Sequence, residues 1–171
     1  MKKFIYLLLS LVLVTPALAT VESDATSQGV DVWIHKNMTA SQLSATIRDY
    51  EIVTAANTIT NAECGTTYIL NSATEFASTL PAPVAGCSFR FIVSAAPVGT
   101  AYTIVTSAGG NLIDGTTVVN GGVIGCVDED TITFTASAAI SGDWVYLISD
   151  GTNWFMTGQA FAATGIACTA T

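Results

Sequence analysis

Two runs rich in aromatic and β-branched residues, Trp144-Val145-Tyr146-Leu147-Ile148-Ser149 and Trp154-Phe155-Met156-Thr157, flank the polar segment Asp150-Gly151-Thr152-Asn153. An Asp-Gly start between such runs predicts a β-hairpin. Side chains two apart on a strand share a face, so Trp144, Tyr146 and Ile148 form one face and Trp154 and Met156 another. Cross-strand pairs among these residues are expected to anchor a core. The same pattern recurs upstream. Phe89, Phe91 and Val93 alternate with Arg90 and Ile92, and Ala96-Pro97-Val98-Gly99-Thr100 predicts a turn into Tyr102-Thr103-Ile104-Val105-Thr106, a second hairpin. Ile132 and Phe134 alternate with threonines.

Weaker strand signals fall at residues 30–34, 50–54, 57–60 and 67–71. A strand is expected to end at Thr79-Leu80-Pro81-Ala82-Pro83, because proline donates nothing to a ladder. Gly109-Gly110-Asn111, Asp114-Gly115 and Asn120-Gly121-Gly122 read as turns. The small, apolar tail over 159–171 is suited to an edge strand or to contact with a neighbour. The one helical candidate starts at Thr39 and Gln42, which have capping-box spacing, and places Leu43, Ile47 and Tyr50 on one face. About eight to ten short strands at this spacing predict an all-β fold, an antiparallel sandwich or barrel with at most one short helix.

The start of the chain changes the expected domain organisation. Lys2 and Lys3 precede an apolar run over 4–14, and Ala17-Leu18-Ala19 is a small-x-small cleavage signal. Residues 1–19 are therefore expected to be a signal peptide cleaved after Ala19, or else a retained apolar arm. Residues 20–49 form an N-terminal arm with the possible short helix, and residues 50–171 the β domain. The apolar run is shorter than the roughly 20 residues of a membrane span, so no stable span is expected in the mature chain.

Charge excludes one class of partner. The 171 residues carry 13 acidic and 5 basic side chains, and cleavage after Ala19 leaves only Lys36, Arg48 and Arg90 as cations. Without a basic stripe, nucleic-acid binding is not expected. Charged residues make up 11% of the chain, against roughly 25% in an ordinary globular domain.

Cys64, Cys87, Cys126 and Cys168 are candidates for two disulfides, with three connectivities open. They contain no C-x-x-C pair, which argues against zinc and against a redox centre; buried free thiols are the alternative in a reducing compartment. No catalytic, cofactor or metal site is expected. His35 is the only histidine, so neither a histidine metal site nor a Ser-His-Asp triad assembles. Asp128-Glu129-Asp130 lacks the spacing of a calcium loop and reads as a solvated acidic turn. Asp143 and Asp150 flank the tryptophan hairpin as a glycosidase pair would, yet aspartates beside glycine are ordinary turn formers. The Gly-Gly pairs precede no helix and cannot cradle phosphate. Asn37-Met38-Thr39 is a glycosylation sequon. Trp144, Tyr146 and Trp154 read as core, with an aromatic sugar platform as the alternative.

Ile59-Thr60-Asn61-Ala62-Glu63-Cys64-Gly65-Thr66-Thr67-Tyr68-Ile69-Leu70-Asn71, then Thr79-Leu80-Pro81-Ala82-Pro83 and Phe89-Arg90-Phe91-Ile92-Val93, form a longer pattern. With Tyr102-Thr103-Ile104-Val105-Thr106 and Ser149-Asp150-Gly151-Thr152-Asn153-Trp154, it resembles virion structural proteins of tailed bacteriophages. The likeness is to capsid decoration (cement) proteins and to β-rich segments of tail fibres, over roughly residues 50–158. It implies a small β subunit without catalytic residues, often trimeric, that sits on the virion surface and reinforces the capsid shell by protein contacts. The export-type start and the four cysteines carry a second expectation: a secreted or cell-surface β-domain acting as an adhesin or glycan-binding module.

Overall fold

The computed structural model describes residues 49–72, 74–107 and 110–170. Its strands are β1 (Tyr50–Val53), β2 (Asn57–Thr58), β3 (Thr67–Leu70), β4 (Ala77–Leu80), β5 (Ser88–Val93), β6 (Tyr102–Thr106), β7 (Ile113–Val119), β8 (Gly122–Glu129), β9 (Thr131–Phe134), β10 (Trp144–Ser149), β11 (Trp154–Ala160) and β12 (Ile166–Thr169). One 3₁₀ turn, Asn61–Glu63, is the only helical element among the described residues. A seven-stranded sheet runs β1-β3-β5-β10-β11-β7-β8 and a five-stranded sheet runs β12-β9-β6-β4-β2.

The all-β class expected from the pattern, as an antiparallel sandwich or barrel, is the class observed, and it takes the form of two sheets. Its strand directions are mixed, however, and 12 strands lie among the described residues, because β7 and β8 occupy a glycine-punctuated stretch that reads as turns. From β1 to β6 successive strands alternate between the sheets. β1–β3, β3–β5, β2–β4 and β4–β6 consequently pair in parallel, each strand with the one before last. This is a flattened coil, and it removes the second expected hairpin, since β5 and β6 lie in different sheets. The segment read as its turn is a crossing. Pro97 is buried, its carbonyl accepts the Ser137 N–H at 2.7 Å, and the neighbouring Val98 N–H donates to Glu75 Oε1 at 2.7 Å. From β7 onward local antiparallel pairing returns in β7–β8, whose turn is Asn120-Gly121, and in the tryptophan hairpin β10–β11.

The core lies between the sheets, and on β3, β5, β6 and β9 burial alternates strictly. Phe89, Phe91 and Val93 of β5, Tyr68 and Leu70 of β3, Tyr102 and Ile104 of β6, and Ile132 and Phe134 of β9 are buried. Tyr68 stacks on Phe91 with ring centroids 5.2 Å apart, and Phe89 meets Trp154 at 5.5 Å. Each such side chain contributes roughly 1.5–3 kcal/mol by leaving water.

The hairpin core requires a correction. Trp154 and Met156 are buried, but on β10 the inward face is Val145, Leu147 and Ser149. Trp144 and Tyr146 are half-buried on the outside and Ile148 is 42% exposed. Both faces of β10 are apolar, so alternation alone does not tell which turns inward, and the larger side chains take the outer one. Asp114-Gly115 is likewise not a turn: it lies inside β7, at an irregularity between Ile113 and Gly115. Tyr50 opens β1 instead of closing a helix, and the rest of that helical candidate, the strand signal at 30–34 and the signal-peptide expectation lie outside the described residues.

The cysteines pair as Cys64–Cys87 and Cys126–Cys168. The first ties the end of the 3₁₀ turn to the start of β5. The second joins β8, the edge of one sheet, to β12, the edge of the other, with Cα atoms 5.6 Å apart.

Asp143 closes the loops before β10 and after β11. Its side chain is buried, with Oδ2 accepting the Ile140 N–H at 3.0 Å and Oδ1 the Phe161 N–H at 2.9 Å. Removing the carboxylate strands two backbone donors, so Asp143→Ala is expected to lose about 2–3 kcal/mol in urea denaturation. Asp143→Asn, which keeps one acceptor, is expected to lose less.

Candidate functional site

Each sheet turns one face to the core and one outward, and the two outward faces differ in chemistry. On the five-stranded sheet, register aligns Thr58, Thr79, Val105, Thr131 and Thr169 in one cross-strand row and Ala77, Thr103, Thr133 and Ala167 in the next. None of these side chains is charged and none is larger than valine. The surface they make is built of short side chains.

The outward face of the seven-stranded sheet is apolar and aromatic. Ile52, Ile69, Ile92 and Trp144 form one row, continued by Gln159, Val118 and Val123. The adjacent row is Tyr50, Thr67, Arg90, Tyr146, Thr157 and Thr116. On its other side lie Ile148 and Phe155, each 42% exposed, with Asp114 next in register. The Arg90 guanidinium stands 4.8 Å from the centroid of the Trp144 ring. Stacking of this kind holds an arginine without a carboxylate beside it, and Arg90 makes no ion pair among the described residues. The aromatic platform considered from sequence is thus partly assembled: Trp144 and Tyr146 reach the surface, Trp154 does not, and Tyr50 and Arg90 join them. The pattern of single strands contained no signal for this, because the platform is drawn from three separate strands, β1, β5 and β10.

The carboxylates read as candidate chemistry are engaged elsewhere. Asp143 is the buried clamp described above. Asp150 accepts the Asn153 N–H at 2.9 Å and the Thr152 N–H at 2.7 Å, and these bonds hold its carboxyl below the usual range. Asp128 and Glu129 end β8, and Asp130 is buried and accepts the Thr131 hydroxyl, so the expected solvated turn is partly internal. Among the described residues no group of three or more His, Cys, Asp or Glu is placed to hold a metal ion. No helix among them is long and apolar enough to cross a membrane. His35 and the sequon at Asn37 lie outside the described residues.

Three loop carboxyls set an acid limit. Glu75 is lowered chiefly by the Val98 N–H, and Glu63 chiefly by the Thr60 hydroxyl, as Asp150 is by Asn153. Burial and the neighbouring Glu63 charge raise the Tyr68 hydroxyl, which donates to Glu63 at 3.1 Å and stays protonated. A carboxyl lowered in the fold stabilises it above the unfolded pKa, and that contribution is lost as pH falls through the lowered value. Amide exchange at Thr152, Asn153 and Val98 is therefore expected to accelerate, relative to core amides, below about pH 4. Unchanged relative protection down to full protonation would show that these bonds do not order the loops.

No protein-family model, curated protein or solved structure matches the chain, so its two outward faces are the features on which a functional reading rests.

Proposed function

We propose that this protein is a non-enzymatic structural subunit that mounts on a larger assembly by protein contact, through the outward face of its five-stranded sheet. The observation that carries the reading is that face's composition: short threonine, alanine and valine side chains without a charge, on a chain with 13 acidic residues. Interface cores are depleted in Asp, Glu and Lys, and a sheet face of short side chains permits close packing of another surface. In the specific form implied by the resemblance, the assembly is a capsid shell and the subunit a homo-oligomer, trimeric by the same likeness, decorating the virion surface.

A second reading, an exported adhesin or glycan-binding module, is favoured by the two disulfides, which persist in oxidising surroundings. Gradient fractionation of natively produced material, with intact mass measured without reductant, separates the two. Decoration predicts the protein in the particle fraction and its loss from particles in Thr103→Lys, a change at mid-face that leaves the circular dichroism unaltered. Protein found solely in soluble or cell-surface fractions, starting at Thr20, would overturn decoration in favour of export.

A further inference from the structure

We infer that the row Tyr50, Thr67, Arg90 and Tyr146, on the sheet facing away from the proposed mounting surface, is a binding site for a glycan that carries an isolated carboxylate. The site draws only on display at a surface, which both readings above share, and it does not depend on what the other face mounts on.

Arg90 is the only basic residue among the described residues. In a chain so rich in carboxylates, a structural arginine has many partners to choose from. This one has none: its Nε is buried without a hydrogen-bond partner, and the guanidinium is held against Trp144 instead of an acid. Its nearest cross-strand neighbours are Thr67 and Tyr146, and the next in register beyond Thr67 is Tyr50, 72% exposed at the sheet edge. The geometry therefore presents a cation prepared for a carboxylate, with phenol and threonine hydroxyls on both sides along the row.

Ligand class follows from what surrounds the cation. Strands about 4.8 Å apart place Tyr50 and Tyr146 roughly 14 Å from one another, so the ligand is extended. Every other member of the row carries a hydroxyl; the apolar row Ile52-Ile69-Ile92 runs along one side, and Ile148 with Phe155 flanks its Tyr146 end on the other. A sugar chain matches this alternation, with hydroxyls at its edges and apolar ring faces to lie on the tyrosines. A peptide strand finds no free backbone ladder on the face of a sheet, since ladders are offered only at edges. The acidic body repels polyanions at long range, which selects a chain whose acids are separated by neutral sugars.

Calorimetry with a short oligosaccharide in which neutral sugars alternate with glucuronic acid tests this, beside the same oligosaccharide with its carboxyls reduced to alcohols. The acidic form is expected to bind about ten- to a hundredfold more tightly. Arg90→Gln is expected to abolish that difference without weakening the reduced form, and Tyr50→Ala to weaken both. Circular dichroism and thermal melting of each variant establish that the fold is kept, and Tyr50, exposed at an edge, reports even if Arg90→Gln melts. Failure of the acidic oligosaccharide to bind, equal binding of the two forms, or a glutamate-rich peptide binding more tightly at Arg90 would each overturn the inference. Particle association is expected to be unaffected by Arg90→Gln, so loss of this site and loss of the mounting reading are told apart.

Discussion

Gly115→Ala is expected to give a protein that fails to fold, or that melts some 10–20 °C below the parent. Gly115 has φ +148°, which side chains rarely adopt, and a Cβ built there runs into the backbone carbonyl oxygen of Met156 and lies 2.8 Å from Met156 Cγ. β7 and β11 are hydrogen-bonded neighbours inside the seven-stranded sheet, so neither backbone yields without breaking the ladder. A clash with backbone combined with a strained φ belongs to the exceptional class of substitutions, above about 4 kcal/mol. A domain of this size has in total about 5–15 kcal/mol. Gly125→Ala, where a Cβ meets nothing within 4 Å, is the control and is expected to cost little. Equal melting temperatures for the two variants would refute the close approach of β7 to β11.

The second large effect concerns the bond between the sheet edges. Cys126–Cys168 closes a separation of 42 residues, and Cys64–Cys87 one of 23. Constraint of the unfolded chain scales with the loop, giving about 4 kcal/mol for the first and about 3 kcal/mol for the second. Cys126→Ser with Cys168→Ser is thus expected to lower the urea midpoint more than the matching pair at Cys64 and Cys87. It should also have a local signature, because Cys168 lies in the four-residue edge strand β12. Hydrogen exchange at Ile166–Thr169 is expected to rise first. Uniform loss of protection across both sheets would instead mean that the bond acts on the unfolded chain alone.

These effects also mark what was legible in the sequence. The alternation of Phe89, Phe91 and Val93, and of Ile132 and Phe134, identifies real strands with the right faces inward, because their intervening residues are more polar or less bulky. Asp150-Gly151 correctly marks the β10–β11 connection, where Gly151 has φ +103°. Asp114-Gly115 has the same dipeptide and misleads, since there the glycine serves a close strand approach. Pairing between β1, β3 and β5 was not legible, as nothing local to Tyr50 or Thr67 says that they lie beside Arg90. The candidate site shares that fate: Arg90 alone looks like a spacer between two buried phenylalanines, and only the register of distant segments surrounds it with hydroxyls.

The alternation of β1 to β6 between sheets bears on the order in which the molecule takes shape. A chain made from its N-terminus releases first the half whose strands have no adjacent partner, so each must wait for a segment one full circuit later. The hairpins β7–β8 and β10–β11, made last, close over the shortest loops. Because loop closure precedes any gain from distant pairing, the late-made half is expected to order first and to serve as the template on which β5, then β3, then β1 are laid down. Maturation would then run opposite to synthesis.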